Sequence, residues 1–218
     1  MRVSLCEGVK RSSKYVARLV DEVEGYAGVR WWGGLDVVFE SQEELGDFLK
    51  KHGKYVYCVG DMELEEVVGE LLKAKGLKLV VAESCTGGLL SARIVNVPGS
   101  SAYFMGGFVV YSNDLKVRLL GVEEEAIKTY GAVSEEVCKQ MAVGALKRTS
   151  ADIAIAISGV SGPGGSPQKP QGLTYIALAN GEEVAVRKFT FNGSRNENRF
   201  MATQWALEML RLHILKEG

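Results

Sequence analysis

The chain has 218 residues, of which 46% are hydrophobic and 24% are charged, a composition typical of a globular protein with one or two domains. Its 26 lysines and arginines are balanced by 27 aspartates and glutamates, so bulk electrostatics argues against nucleic acid or an anionic membrane as a partner. No apolar run approaches the ~20 residues that cross a bilayer, the N-terminus has no apolar signal segment, and the four cysteines are dispersed. We therefore expect a cytoplasmic protein with free thiols.

Residues 1–60 are expected to form a small α/β unit, whose role the sequence does not indicate. The predicted elements are a helix over 12–25, a strand over 35–40, a helix over 42–51 and a strand over 55–59. Trp31 and Trp32 are adjacent and would face opposite sides of an extended segment, so at least one of them is expected in the core.

Residues 61–218 are expected to form a second domain in which helices alternate with apolar strands. The predicted helices are about 62–75, 87–96, 113–121, 123–129, 135–148 and 195–215, and the predicted strands are 77–82, 108–112, 151–158, 173–179 and 183–191. Asn113, Ser134 and Ser194 are the expected helix starts, and Asn180-Gly181 is typical of a type I′ hairpin turn. This pattern predicts an α/β sandwich with a mixed sheet.

Positions 82–88 read AESCTGG directly after the apolar run LKLVV, so polar and reactive side chains gather where a buried strand ends. In open α/β sheets, ligands bind beyond the carboxyl ends of the strands. The candidate site residues of this motif are Glu83, Ser84, Cys85, Thr86, Gly87 and Gly88. Backbone N–H groups near the two glycines are typical anchors for a phosphate or an oxyanion. An alternative is that Ser84 or Thr86 only caps the following helix.

Several common site motifs are absent from the sequence. It contains no GxxxxGK[ST] P-loop, no GxGxxG after a strand and no GxSxG nucleophile elbow. The two histidines, His52 and His213, fall at no predicted strand exit, which argues against a Ser-His-Asp triad and a histidine-rich metal centre. We therefore expect a site without a metal or a cofactor.

A serine without a histidine needs another base, and YSNDLK at 111–116 offers two. Tyr111 ends a predicted strand, and Asn113 as N-cap would place Lys116 at position N3 of the next helix. A cation there opposes the helix dipole, and this field together with partial burial would lower the lysine pKa toward that of a general base. The alternative is an ordinary solvated lysine.

Cys85 is the rival nucleophile. Glu83, Lys116 and Cys85 supply the residue types of the Glu-Lys-Cys sets that hydrolyse amides on other folds. From an extended backbone, Ser84 and Cys85 cannot both present their side chains to one spot. Free cysteines are often buried, which favours Ser84 as the nucleophile.

Seven motifs together resemble the CinA C-terminal domain family over about residues 62–214. They are AESCTGG, GSSAYF at 99–104, GFVVYSNDLK at 107–116, GAVSEE at 131–136, ISGVSGPGG at 157–165, KPQG at 169–172 and FNGSRNENR at 191–199. The resemblance implies a three-layer α/β/α sandwich that forms homo-oligomers. It also implies nicotinamide-mononucleotide deamidase activity, the metal-independent hydrolysis of nicotinamide mononucleotide to nicotinate mononucleotide and ammonia.

The resemblance further implies roles for individual residues. It makes Ser84 the nucleophile and has Tyr111 and Lys116 assist its deprotonation. The residues that it implies as pocket lining are Ser158 and the following loop with Gly159, Gly162, Gly164 and Gly165. The sequence departs from the family pattern at Gly106, at Asn198 and in a glycine loop that is one residue shorter than is common.

Arg195 and Arg199 match basic positions of the family. They are four residues apart at the start of a predicted helix and so share one face. With Lys169 and the N–H groups of residues 162–165, they are expected to bind the phosphate of the mononucleotide.

A second hypothesis is a non-catalytic nucleotide-binding module with residues 1–60 as an interaction unit. The combination of Ser84, Tyr111 and Lys116 favours an enzyme, because a binding module needs no base beside a serine. A nucleic-acid-binding protein is a third hypothesis, and the near-zero net charge argues against it.

Overall fold

The computed structural model describes residues 16–21, 28–31 and 33–216, and the chain divides into two compact units, Met1–Val67 and Val68–Gly218. Each unit is built around its own sheet. Among the described residues, no helix is both long enough and apolar enough to span a bilayer.

The first unit is a four-stranded antiparallel sheet with one helix against it. Its elements are β1 (Val16–Leu19), β2 (Val29–Trp31), β3 (Gly34–Val38), α1 (Gln42–His52) and β4 (Val56–Val59). The strand order is β2-β3-β1-β4. Ser41 caps α1, which buries Leu45 and Phe48 in a cluster with apolar residues of β1, β3 and β4.

The predicted helix over 12–25 is wrong where the structure describes it. Val16–Leu19 instead form β1, which is buried throughout and pairs with β3 on one side and β4 on the other. Four consecutive buried residues carry no periodicity that separates a strand from a helix. The other three predicted elements of this unit are confirmed within two residues, β2 was not predicted, and Trp32 lies outside the described residues.

The second unit is a three-layer α/β/α sandwich around a five-stranded mixed sheet. Its strands are β5 (Leu79–Glu83), β6 (Phe104–Val109), β7 (Ile153–Gly159), β8 (Leu173–Ala179) and β9 (Val184–Thr190). The strand order is β6-β5-β7-β8-β9. Both β6 and β7 run parallel to β5, whereas β8 and β9 continue the sheet antiparallel. The carboxyl ends of β6, β5 and β7 therefore meet at one edge of the sheet.

Helices cover both faces of this sheet. They are α2 (Leu64–Lys75), which crosses the boundary between the units, α3 (Leu89–Val95), α4 (Asn113–Leu120), α5 (Glu124–Tyr130), α6 (Glu135–Lys147) and α7 (Arg195–Lys216). One layer contains α4, α5 and α6, whose apolar side chains pack on alternate residues of the strands. The opposite layer contains α3 and α7, which contact each other.

Two local predictions in this unit are wrong. The strand predicted over 108–112 runs instead from Phe104 to Val109. The prediction missed its first half because a glycine pair at its centre is unfavourable in strands and weakens the sequence pattern. A Cβ on Gly107 would lie 2.5 Å from the Ser91 hydroxyl oxygen, so this strand needs a glycine there for the approach of α3. The hairpin turn is not type I′, since Asn180 and Gly181 both lack a positive φ and Asn180 Oδ1 accepts the N–H groups of the next turn residues.

Candidate active site

Ser84 lies at the carboxyl end of the central strand β5. Its N–H donates to the carbonyl of Ile157 at 3.0 Å, which continues the ladder with β7 one residue past β5. Side chains alternate along a strand, and Val80 and Ala82 pack in the cluster that includes residues of α6. By this alternation, Ser84 is expected to face the helical layer of α4, α5 and α6. Ser84 is 9% exposed.

The helix α4 belongs to that layer and carries Lys116. Its N-cap is Ser112, whose hydroxyl accepts the N–H of Leu115 at 3.2 Å. The predicted N-cap Asn113 is therefore wrong by one residue, and Lys116 lies one position deeper in the helix than the sequence indicated. Serine and asparagine are both favoured at this position, so composition alone could not choose between them.

The Lys116 amine lies beside the end of β5. Its Nζ donates to the carbonyl of Val110 at 2.9 Å and to that of Tyr111 at 3.3 Å. Val110 N–H in turn donates to the carbonyl of Glu83 at 2.9 Å, so Val110 is the neighbour of the Ser84 end of β5. The carbonyl that binds the amine therefore lies next to the end of β5, about 4.8 Å away as neighbouring strands are, and we expect the amine and Ser84 to share one site.

The surroundings of Lys116 favour its neutral form. The residue is 1% exposed, and both hydrogen-bond acceptors of its amine are uncharged carbonyls. Burial lowers the pKa of Lys116, and the opposing effect of the nearby Cys85 thiol is smaller. A buried amine with a lowered pKa can accept a proton, as a general base must.

Cys85 has the opposite character. Burial raises the pKa of its thiol to about 11, although a hydrogen bond with the Ser161 side chain acts to lower it. Only a thiolate is a strong sulfur nucleophile, and at neutral pH this group is a buried thiol. The protonated state of this thiol therefore argues against Cys85 as the attacking group, and Ser84 stays the predicted nucleophile.

Glu83 caps the helix that follows the site. Its carboxylate is fully buried and accepts the N–H groups of Gly88 at 3.0 Å, Leu90 at 3.0 Å and Ser91 at 2.8 Å, and the Ser91 hydroxyl at 2.7 Å. A carboxylate at a helix N-terminus satisfies donors that the helix itself leaves unpaired. This differs from the predicted substrate contacts of Glu83 and Gly88, whose polar groups are used within the protein.

The backbone N–H groups of the turn divide into two sets. That of Gly87 donates to the carbonyl of Ser84 at 3.1 Å, so it is not the oxyanion donor that the sequence suggested. Those of Cys85 and Thr86 have no backbone acceptor within the described part of the chain. They are the remaining candidates to stabilise an oxyanion formed at Ser84.

The hydroxyl of Tyr111 is bound to α7. Tyr111 is 60% exposed and lies two residues past β6. Its hydroxyl accepts Nη2 of Arg195 at 3.2 Å, and Nη1 of Arg195 donates to the carbonyl of Gly162 at 2.6 Å. The arginine thus links the end of β6 to the glycine loop after β7.

Arg199 and Lys169 lie at different places. Arg199 Nη2 donates to the carbonyl of Thr86 at 2.7 Å. It thus contacts residues 84–88, the turn that begins at the predicted nucleophile, which we call the nucleophile turn. Lys169 Nζ donates to the carbonyl of Tyr130 at 2.8 Å and lines a cavity of about 410 Å³ formed with residues such as Val133. Arg199 therefore lies at the nucleophile turn, whereas Lys169 contacts the end of α5.

Ser158 and the glycine loop shape the backbone of the site. Ser158 is fully buried and donates to the carbonyl of Ala132 at 2.8 Å, so it anchors a neighbouring loop and does not line an open pocket as predicted. A Cβ on Gly159 would lie 2.7 Å from the carbonyl oxygen of Leu173. The glycines with positive φ in this loop are Gly162, Gly164 and Gly165.

Sequence reasoning missed two polar residues of this region. Ser161 is buried, and its side chain acts to lower the pKa of the Cys85 thiol. Asn198 is buried in the first turn of α7 and donates to the carbonyl of Ser161 at 3.0 Å. Both lie inside motifs that the sequence marked, but only their burial distinguishes them from solvated side chains.

The chain is similar in sequence to proteins described as CinA-like. The CinA C-terminal domain profile matches residues 61–214. A CinA-like protein from Thermotoga neapolitana is 46% identical over 208 residues, which cover 93% of this chain and 50% of that protein. One from Sulfurihydrogenibium is 45% identical over 185 residues, which cover 84% of this chain and 46% of that protein. The chain thus spans about half the length of the curated relatives it matches.

Solved structures agree with this assignment. The competence/damage-inducible protein of Agrobacterium tumefaciens has a TM-score of 0.65 at 39% identity, covering 68% of this chain and 94% of its own. A CinA superfamily protein of Escherichia coli has a TM-score of 0.66 at 32% identity, covering 68% of this chain and 88% of its own. The chain belongs to the CinA C-terminal domain family.

Proposed function

We propose that this protein is an amidohydrolase that converts nicotinamide mononucleotide to nicotinate mononucleotide and ammonia. The observation that carries the proposal is the buried Lys116 amine with a lowered pKa, which donates to Val110, the neighbour of the strand end that precedes Ser84. A serine and a neutral amine at one sheet edge are the minimum set for nucleophilic attack without histidine. The substrate follows from the resemblance of the surrounding motifs to the nicotinamide-mononucleotide deamidases of this family.

The first step forms an acyl-enzyme. Neutral Lys116 takes the hydroxyl proton of Ser84 as the serine oxygen attacks the carboxamide carbon, and the carbonyl oxygen becomes an oxyanion. The N–H groups of Cys85 and Thr86 stabilise that charge. The C–N bond then breaks, the Lys116 ammonium returns its proton to the departing nitrogen, and ammonia leaves an ester on Ser84.

The second step releases the product. Lys116, neutral again, takes a proton from a water molecule that attacks the ester carbon. The C–O bond to Ser84 breaks, and the serine oxygen recovers a proton from Lys116. Nicotinate mononucleotide leaves, and neither a metal nor a redox cofactor is consumed.

The first turn of α7 supports phosphate binding. Arg195 and Arg199 bring two cations to a helix N-terminus, where they oppose the helix dipole, and an anion would relieve this conflict. Both already donate to backbone carbonyls, which fixes their direction. The resemblance also supports a homo-oligomer, and the dispersed cysteines support a cytoplasmic location.

Ammonia release from nicotinamide mononucleotide tests the proposal. We expect turnover by the wild-type protein, turnover lower by more than about 10⁴-fold in Ser84→Ala, and a loss of no more than about tenfold in the matched neighbour Cys85→Ala. Binding of the nucleotide is measured in parallel by calorimetry. If wild type and Ser84→Ala both bind it and are equally inert, the protein is a non-catalytic binding module and the proposal is wrong.

A further inference from the structure

The start of α7 contacts the nucleophile turn and the glycine loop at once. Arg195, Asn198 and Arg199 follow the i, i+3, i+4 spacing that places side chains on one helical face. They donate to the carbonyls of Gly162, Ser161 and Thr86 respectively. The two arginines are cations at the edge of the proposed phosphate site, whereas the asparagine is neutral and only 1% exposed.

Asn198 uses both ends of its amide. Its Oδ1 accepts the N–H of Gly193 at 2.9 Å, and its Nδ2 donates to the carbonyls of Gly193 at 2.9 Å and Ser161 at 3.0 Å. One N–H and two carbonyls around a single amide fix which end is oxygen and which is nitrogen. Only a side chain with an acceptor and two donors satisfies all three backbone groups.

The contact with Ser161 leads to the nucleophile turn. Ser161 is buried beside Cys85, the residue directly after Ser84, and the Ser161 side chain acts to lower the pKa of the Cys85 thiol. The other side of the loop is fixed by Val160, which exchanges backbone hydrogen bonds with Leu173 at 2.8 Å and Gly172 at 2.7 Å. Asn198 therefore completes a chain of contacts from α7 through Ser161 to the backbone that carries the nucleophile.

We propose that Asn198 is a positioning residue, which holds Ser161 against Cys85 and so fixes the direction of Ser84 and of the neighbouring oxyanion donors. Small errors in such geometry are costly, since attack requires the reacting atoms to be aligned. The catalytic part of this inference rests on the proposed function. Its structural part, the restraint on Cys85, is independent of any activity.

Two substitutions at Asn198 and one at Ser161 separate positioning from damage to the start of α7. Asn198→Leu has a similar size and removes all three hydrogen bonds. Asn198→Asp keeps an acceptor for Gly193 N–H but loses the donors to Gly193 and Ser161. Ser161→Ala keeps the carbonyl that Asn198 binds and removes only the side chain next to Cys85. If the link to Cys85 matters, all three variants are affected, whereas damage to the start of α7 alone would spare Ser161→Ala. Asn192→Asp is the matched control, because it makes the same change at an exposed asparagine just before α7.

The first measurement is alkylation of Cys85 by iodoacetamide in the folded protein, quantified by peptide mass spectrometry. In the wild type and in Asn192→Asp, the buried thiol with its raised pKa should react slowly. We expect at least about tenfold faster labelling in both Asn198 variants, since loop opening exposes the thiol. Wild-type rates in Asn198→Asp would overturn the proposal. If Asn198→Leu does not fold, Asn198→Asp alone decides.

The second measurement is turnover. Both Asn198 variants should lower kcat by about tenfold or more while changing KM less, since orientation of the nucleophile is lost rather than substrate binding. Ser161→Ala should show a similar loss, and the double variant Asn198→Asp/Ser161→Ala should lose little more than either single one. Fully additive losses would show that the two residues act separately. Should the wild type release no ammonia, the labelling result still tests the restraint.

Discussion

Both units bury long cations, and two of these, Arg18 in the first unit and Lys116 in the second, have opposite kinds of partner. Arg18 in the first unit is 3% exposed, forms ion pairs with Asp36 at 3.2 Å and Glu63 at 3.1 Å, and stacks on Trp31. Lys116 in the second unit is buried at least as deeply but donates only to two carbonyls. The carboxylate partners favour the charged form of Arg18, whereas the surroundings of Lys116 favour its neutral form.

The pKa directions follow from these partners. Burial alone would lower the pKa of Arg18, yet the acidic groups of Tyr57, Glu63 and Asp36 together raise it. Burial lowers the pKa of Lys116. The carboxylate partners therefore make Arg18 structural, whereas the Lys116 amine, which donates to neutral carbonyls, is suited to proton transfer.

Replacing Lys116 should have the largest effect on activity. We expect Lys116→Met to lower kcat by roughly 10²–10⁴-fold, the usual scale for loss of a general base. Lys116→Arg should not restore the rate, because a guanidinium stays protonated. The measurement is steady-state ammonia release, and an active Lys116→Arg variant would show that the position needs only a positive charge.

The free energy of unfolding should fall more in Arg18→Met than in Lys116→Met. Arg18→Met leaves the buried Asp36 without its cation, and we expect a loss of about 3–5 kcal/mol in the free energy of unfolding. Lys116→Met leaves no carboxylate without a partner. It should change the free energy of unfolding by no more than about 1 kcal/mol at neutral pH. Urea unfolding followed by circular dichroism measures both. Equal losses in the two variants would contradict the comparison.

The pH dependence of stability sharpens the same contrast. Because the native pKa of Lys116 is lowered below the usual 10.5, the unfolded chain binds more protons between the two values. Wild-type stability should therefore rise with pH across that window, and the rise should be smaller in Lys116→Met. If stability rises as steeply with pH in Lys116→Met as in the wild type, groups other than Lys116 cause the rise.

Much of this site was predictable, and the limits are physical. The strand end before Ser84, and the place of Lys116 near the start of a helix, follow from periodicity and turn residues that are local in sequence. The partners of Lys116, Glu83 and Ser158 were not predictable, because each depends on backbone groups brought close only by the sheet register. β1 was missed for the same reason, since its burial comes from two strands distant in sequence.

Arg195 should have a smaller, substrate-dependent effect. Nicotinamide riboside lacks the phosphate, and we expect its kcat/KM to be lower than that of the mononucleotide by at least about tenfold, or ~1.4 kcal/mol. Arg195→Ala should narrow this gap because it weakens only the phosphorylated substrate. The exposed Arg118→Ala is the control. If Arg195→Ala slows both substrates equally, the residue has a structural or catalytic role.

Chelation should have the smallest effect. No group of three or more His, Cys, Asp or Glu suited to a metal ion occurs among the described residues. We expect ammonia release to be unchanged after exhaustive treatment with a chelator. Inactivation that one divalent ion reverses would contradict the metal-independent mechanism.

The pH profile of kcat/KM for nicotinamide mononucleotide tests most directly whether Lys116 is the base. Since the active form is the neutral amine, kcat/KM should rise with pH through one group whose pKa is below the usual 10.5 of lysine. The rise should persist in Tyr111→Phe, whose hydroxyl is bound to Arg195, and disappear in Lys116→Met. A rise that persists in Lys116→Met and disappears in Tyr111→Phe would contradict the account and make Tyr111 the base.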